Sequence, residues 1–151
     1  MNGVPRASLW AGSAGSRVDL HPGPATQSIA VAVHDGQQVG LALIGNRRAG
    51  LWTGSAGSWV DLHPAGGTES EAYAVHDGQQ VGFASVGGFR RASLWTGNAG
   101  SWVDLHPAGA TDSWGLGVHG GQQVGSARVG DVDRASLWTG NAGSWVDLHP
   151  A

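Results

Sequence analysis

RASLWTGNAGSWVDLHPA fills residues 91–108 and returns letter for letter at residues 134–151. Looser copies begin at Arg48 (RAGLWTGSAGSWVDLHPA) and at Arg6 (RASLWAGSAGSRVDLHPG). Their Leu-Trp pairs fall at Trp10, Trp52, Trp95 and Trp138, giving spacings of 42, 43 and 43 residues. A second unit lies between successive copies. It reads VHDGQQVG at residues 33–40 and 75–82, and VHGGQQVG at residues 118–125. Self-similarity at a fixed period of this size belongs to propellers, solenoids and repeat arrays. The chain divides accordingly into repeats at 6–47, 48–90 and 91–133 and a half-repeat at 134–151, forming one repeat domain over residues 1–151.

Within a period the patterns are those of short strands. Val18 and Leu20 alternate with Arg17, Asp19 and His21, which separates an apolar from a polar face. The Gly-rich AGSAGS at residues 11–16 suits a tight turn, and Pro22 closes the strand that follows it. SIAVAV at residues 28–33 is too short for a helix and rich in β-branched residues, so it reads as a buried strand. Asp35-Gly36 is a hairpin signal, and Val39, Leu41 and Leu43 share a face of the strand after it. Each period thus holds four antiparallel strands, and no helix is expected.

Four strands in about 43 residues is the size of one propeller blade. The expected fold is all-β, a β-propeller of four-stranded antiparallel blades, with Trp on one strand face and Val and Leu on the other. A β-trefoil is the alternative, but it closes on three units and has no place for the extra half-repeat. A β-solenoid fits less well, because its coils are shorter and lack such hairpins. Ring closure usually takes about 4–8 blades. The open flanks therefore predict self-association, with a homodimer completing a six- or seven-bladed ring, unless the chain is a piece of a longer one.

The segments Ala92–Trp95, Val103–Leu105, Ser70–Ala72 and Gln80–Gly82 supply Ala-x-Leu-Trp, Val-Asp-Leu, Ser-x-Ala and Gln-x-Val-Gly. In these elements the chain resembles the HAF-type extracellular repeats of bacterial secreted proteins. The resemblance implies propeller-like blades and an extracellular setting, although the N-terminus MNGVPRASLW has no apolar signal region. It implies no catalytic residue. The turn here reads His-Asp-Gly where those repeats tend to Asn-Asp.

Composition excludes several function classes. The 8 basic residues are all Arg and are scattered among the repeats, the net charge is −3, and a nucleic-acid surface is not expected. No window approaches the roughly 18 apolar residues of a membrane helix. Without Cys there are no disulfides and no thiolate metal sites.

The residues placed to carry chemistry are Asp61/His63, Asp104/His106 and Asp147/His149, with Asp19/His21 as the first copy. Trp59, Trp102 and Trp145 stand just before them on the same strand face. An Asp and a His two apart suit a ligand contact, or a transition metal held by carboxylate and imidazole. The competing expectation is structural, since Ser, His, Asp and Trp networks stitch the blades of WD40 propellers together and buried polar groups need partners. No metal or other cofactor is expected there.

His34, His76 and His119 sit at turns and are expected to be solvated, with a pH-sensitive interface as the further option. One Gln of each pair (Gln37/Gln38, Gln79/Gln80, Gln122/Gln123) should be buried and hydrogen-bonded. No nucleophile stands beside a base, and the repeated carboxylates give equivalent sites rather than a distinct acid and base. The expected function is therefore a non-catalytic interaction scaffold. A multivalent glycan binder, with Trp and Tyr stacked on sugar rings, is the alternative. A metal-dependent enzyme is the third reading.

Overall fold

The computed structural model describes residues 3–150. It is all-β and antiparallel. The strands are β1 (Ser8–Leu9), β2 (Val18–Asp19), β3 (Gln27–His34), β4 (Gln37–Ile44), β5 (Asn46–Trp52) and β6 (Val60–Asp61). They continue as β7 (Glu69–His76), β8 (Gln79–Val86), β9 (Phe89–Trp95) and β10 (Val103–Asp104). The last four are β11 (Ala110–His119), β12 (Gln122–Val129), β13 (Val132–Trp138) and β14 (Val146–Asp147). They form three four-stranded meanders, β3–β6, β7–β10 and β11–β14, preceded by the two-stranded β1–β2.

The sheets straddle the sequence repeats. Each joins the second half of one repeat to the first half of the next, so the surplus half is β1–β2 at the start rather than residues 134–151 at the end. Hydrogen-bond partnership explains the phase. VHDGQQVG folds into a hairpin with the strand before it, and the second strand of that hairpin then pairs with the following RASLW: Val39 opposes Leu51, Val81 opposes Leu94 and Val124 opposes Leu137.

Local chemistry fixes each turn. Asp35 and Gly36 take φ of 45° and 75°, and Asp77 and Gly78 take 47° and 74°, the type I′ combination whose twist matches a two-residue hairpin. The AGS segments form single 3-10 turns at Ala14–Ser16, Ala56–Ser58, Ala99–Ser101 and Ala142–Ser144 rather than a simple hairpin turn. Their last serine holds the loop shut. The Ser101 hydroxyl accepts from the Thr96 N–H at 2.8 Å and donates to the Asn98 carbonyl at 2.6 Å. A register shift bulges the first strand of each sheet, between Ala30 and Ala32, Ala72 and Ala74, and Gly115 and Gly117. The bulged carbonyls of Ile29, Glu71 and Trp114 then occupy the space that a Cβ would need at Gly40, Gly82 and Gly125. That close approach is why the strand reads Gln-Gln-Val-Gly.

The sheets stack in series, the first strand of each lying on the middle strands of the one before. Trp52, Trp95 and Trp138 are fully buried and carry the packing across these junctions. Trp52 clusters with Ala7 and Leu20, Trp95 with Val39, Leu51 and Leu62, and Trp138 with Val81, Leu94 and Leu105. Burying a large aromatic at every junction stabilises the stack, since truncating such a side chain costs about 3–5 kcal/mol. No ring is closed among the described residues.

Candidate functional site

The Asp-x-His motif builds a clasp between sheets. Pro64 follows His63 and ends the β6 segment, so the chain turns back and brings the His63 ring to Ser70 on the next sheet. The His63 Nε2 lies 3.0 Å from the Gly67 carbonyl and Nδ1 lies 2.8 Å from the Ser70 hydroxyl. A carbonyl can only accept, so Nε2 carries the proton and Nδ1 accepts from the serine. The Ser70 oxygen in turn accepts the Ala49 N–H at 2.9 Å. Every polar atom of this buried group is matched.

The same clasp recurs at the other two junctions. His21 and Ser28 meet at 2.8 Å with the Ala7 N–H, and His106 and Ser113 meet at 2.8 Å with the Ala92 N–H. Serine is expected in such a network, but which serine fills the third side is not singled out in the sequence reading. Its signal was available, because Ser28, Ser70 and Ser113 each follow their histidine by seven residues.

The aspartates do not touch the imidazoles. Each uses Oδ1 to accept the backbone N–H of its own His two residues on, at 2.8 Å for Asp61 and Asp104 and 2.9 Å for Asp19 and Asp147. Oδ2 takes the arginine that opens the repeat: Arg6 on Asp19 and Arg48 on Asp61 at 2.8 Å, and Arg91 on Asp104 at 2.7 Å. The His21 N–H, and after it the Arg6 guanidinium, hold the Asp19 carboxyl below its ordinary range. The His149 N–H and Arg134 do the same for Asp147. Asp61/His63 and Asp104/His106 are therefore brought together through the backbone, with both ring nitrogens occupied and no open chelate between the side chains.

At Asp147/His149 the arrangement is half built. The His149 backbone donates to Asp147, but its ring makes no clasp among the described residues, and Ala135, the counterpart of Ala49 and Ala92, is exposed.

Trp59, Trp102 and Trp145 are half-buried. Trp102 Nε1 donates to Ser93 at 2.8 Å and Trp145 Nε1 to Ser136 at 2.9 Å. Trp59 has Gly50 where the other copies have serine, and its buried Nε1 has no partner. The buried glutamines are Gln38, Gln80 and Gln123. Gln80 ties two loops together, donating to the Gly78 carbonyl and accepting the Gly97 N–H, both at 2.8 Å.

The turn histidines are not simply solvated. They form a column across three sheets. His34 stacks on His76 with ring centroids 4.1 Å apart and planes 24° apart, and His119 meets the other side of His76 at 4.1 Å and 57°. Two carboxylates edge this column: His34 Nε2 lies 3.3 Å from Asp35 Oδ2 and 3.5 Å from Asp77 Oδ1, and His76 Nδ1 lies 3.3 Å from Asp77 Oδ2. The buried His76 Nδ1 makes no hydrogen bond. Sequence reasoning missed the column because each histidine lies 42 or 43 residues from the next, and only the stacking of sheets brings them together.

No protein-family model, curated protein or solved structure matches this chain.

Proposed function

We propose that the chain is a non-catalytic repeat scaffold whose sheets act as propeller blades and whose two terminal faces bind each other in a second copy. The observation that carries this reading is a mismatch in cover at the two ends of the stack. Val33 on β3 is 60% exposed, whereas its counterpart Val75 on β7 is 7% exposed. Val124 on β12 is 45% exposed, whereas Val39 and Val81 in the same register are fully buried. The first face lacks a counterpart of β4 above it, because β1–β2 supplies counterparts of β5 and β6 alone. The second lacks a first strand.

The two faces are complementary halves of one junction. Docked together, Val33 and Val124 cover one another, and Ser28 of one copy meets the exposed Ala135 N–H and the His149 ring of the other. The hairpin that must leave is β1–β2, whose residues 6–10 read RASLW, as do residues 134–138 of the incoming sheet. It is held by two-residue strands, the His21–Ser28 clasp and the packing of Ala7 and Leu20 on Trp52, all of which residues 134–149 of the incoming copy would replace in kind. An open apolar groove lined by Leu9, Trp10, Val31 and Val33 beside it supports the exchange. Two copies exchanging in this way supply six sheets, and a head-to-tail contact that closes gives a ring rather than a filament.

Size-exclusion chromatography with light scattering tests the reading. A dimer is expected at tens of micromolar, Val124→Asp should leave a folded monomer, and deletion of residues 1–24 should strengthen association by freeing β3. A wild-type chain that stays a folded monomer under these conditions overturns it.

A further inference from the structure

The geometry points to a divalent metal site in the histidine column, formed by His34, His76 and Asp77 and suited to a borderline ion such as Zn²⁺. One ligand atom from each of these three residues lies within 4.8 Å of the other two. A tetrahedral ion with bonds near 2.0–2.1 Å holds its ligand atoms ~3.3 Å apart. The Asp77 carboxylate already sits 3.5 Å from His34 Nε2 and 3.3 Å from His76 Nδ1. Two imidazoles and one carboxylate form a donor set that zinc takes readily, and Ca²⁺ or Mg²⁺ do not.

Three features argue for a ligand rather than for packing alone. First, His76 Nδ1 is buried without a hydrogen bond, and a buried polar atom ordinarily has a partner. Secondly, a neutral imidazole has one ring nitrogen with a free lone pair, which the clasp histidines spend on a serine hydroxyl and His34 and His76 do not. Thirdly, the type I′ turn that sets Asp77 at φ 47° carries its carboxylate to 3.5 Å from His34 Nε2 and 3.3 Å from His76 Nδ1. Asp35 lies 3.3 Å from His34 Nε2 and is the nearest fourth donor. The third turn has Gly120 in place of aspartate, so the site belongs to the junction between β3–β6 and β7–β10. It lies within one chain and is independent of the exchange between copies.

Isothermal titration of the EDTA-treated, dialysed full chain with ZnCl₂ alone should give saturable binding of one ion per chain. Asp77→Asn should weaken it at least about tenfold, since losing even an outer-sphere partner costs that much. Asparagine tolerates the left-handed turn, so the variant keeps the fold, which its far-UV circular dichroism checks. Asp131→Asn removes an exposed carboxylate outside the cluster and should bind as the wild type does. Imidazole ring-proton NMR reads the same site without a substitution, with the His34 and His76 signals shifting on addition of zinc and the His63 signals staying in place. No saturable heat, wild-type affinity in Asp77→Asn, loss of binding in Asp131→Asn, or zinc shifts at His63 in place of His34 and His76 would each overturn the site.

Discussion

Gly50→Ser should stabilise the protein, although it adds an atom where none fits at present. A Cβ at Gly50 would overlap the Trp59 indole nitrogen. The overlap is with a side chain, and the two later copies show where that side chain goes when a serine is present. Trp102 and Trp145 lie so that Nε1 donates to Ser93 or Ser136. Swinging Trp59 into that pose gives its buried N–H an acceptor, which contributes about 1 kcal/mol. Replacing a glycine within a strand adds about 0.5 kcal/mol by restricting the unfolded chain. The sum is about 1.5 kcal/mol, equivalent to a rise of roughly 3–6 °C in Tm for a chain of this size. Urea unfolding followed by Trp fluorescence measures it, and with a slope near 2 kcal/mol/M the midpoint should rise by about 0.7 M at unchanged slope. Ser93→Gly should show the reverse change. A lower midpoint for Gly50→Ser would mean that the indole cannot move, and that the copies differ in packing beyond the missing hydroxyl.

Two further outcomes follow from the junctions. Ser70→Ala leaves the Ala49 N–H and His63 Nδ1 buried without partners, and denaturant unfolding should show a loss of about 2–4 kcal/mol, whereas Ser8→Ala on the exposed half-sheet should cost under about 0.5 kcal/mol. The single tyrosine, Tyr73, donates to Glu71 at 3.1 Å, and burial, followed by the Glu71 charge, pushes its phenol above the ordinary 10.0. A folded-state value above the unfolded one means that this contribution is intact below pH 10 and is lost as pH rises beyond it. Absorbance at 295 nm should therefore show no phenolate until the far-UV signal of the fold also begins to fall, and free ionisation near pH 10 in the folded protein would contradict the burial.

The all-β class and the hairpins were legible because they rest on local chemistry: Asp-Gly turns, alternation and length. The buried glutamines were legible for a similar reason, since a strand sends adjacent side chains to opposite faces. Which strands share a sheet was not legible. The repeat can be cut before RASLW or before SIAVAV with equal regularity, and only the hydrogen-bonded ladder from Val39 to Leu51 decides between the two. The Asp-x-His motif reads in sequence as two side chains on one face. Its aspartate instead caps the backbone, because the strand ends at Asp61 and the next residues curl over it. The histidine column depends on the stacking distance between sheets, which no single repeat encodes.

Identical hairpins also pose a problem of address during folding. From Arg91 and Arg134 onward, β9–β10 and β13–β14 come from the same eighteen letters, so over those residues β8 or β12 could recruit either as its partner at the same ladder energy. The residues that differ between repeats break this degeneracy. Arg128 on β12 opposes Asp133 on β13 and donates to its carboxylate at 3.0 Å, whereas Ser85 on β8 opposes Arg90 on β9. Trading the hairpins would set Arg128 against Arg90 and leave Asp133 opposite Ser85. Positions that look like drift in the repeat thus act as labels, and erasing them would give a chain that reaches the same secondary structure through several competing connections, with slow, multiphasic refolding as its mark.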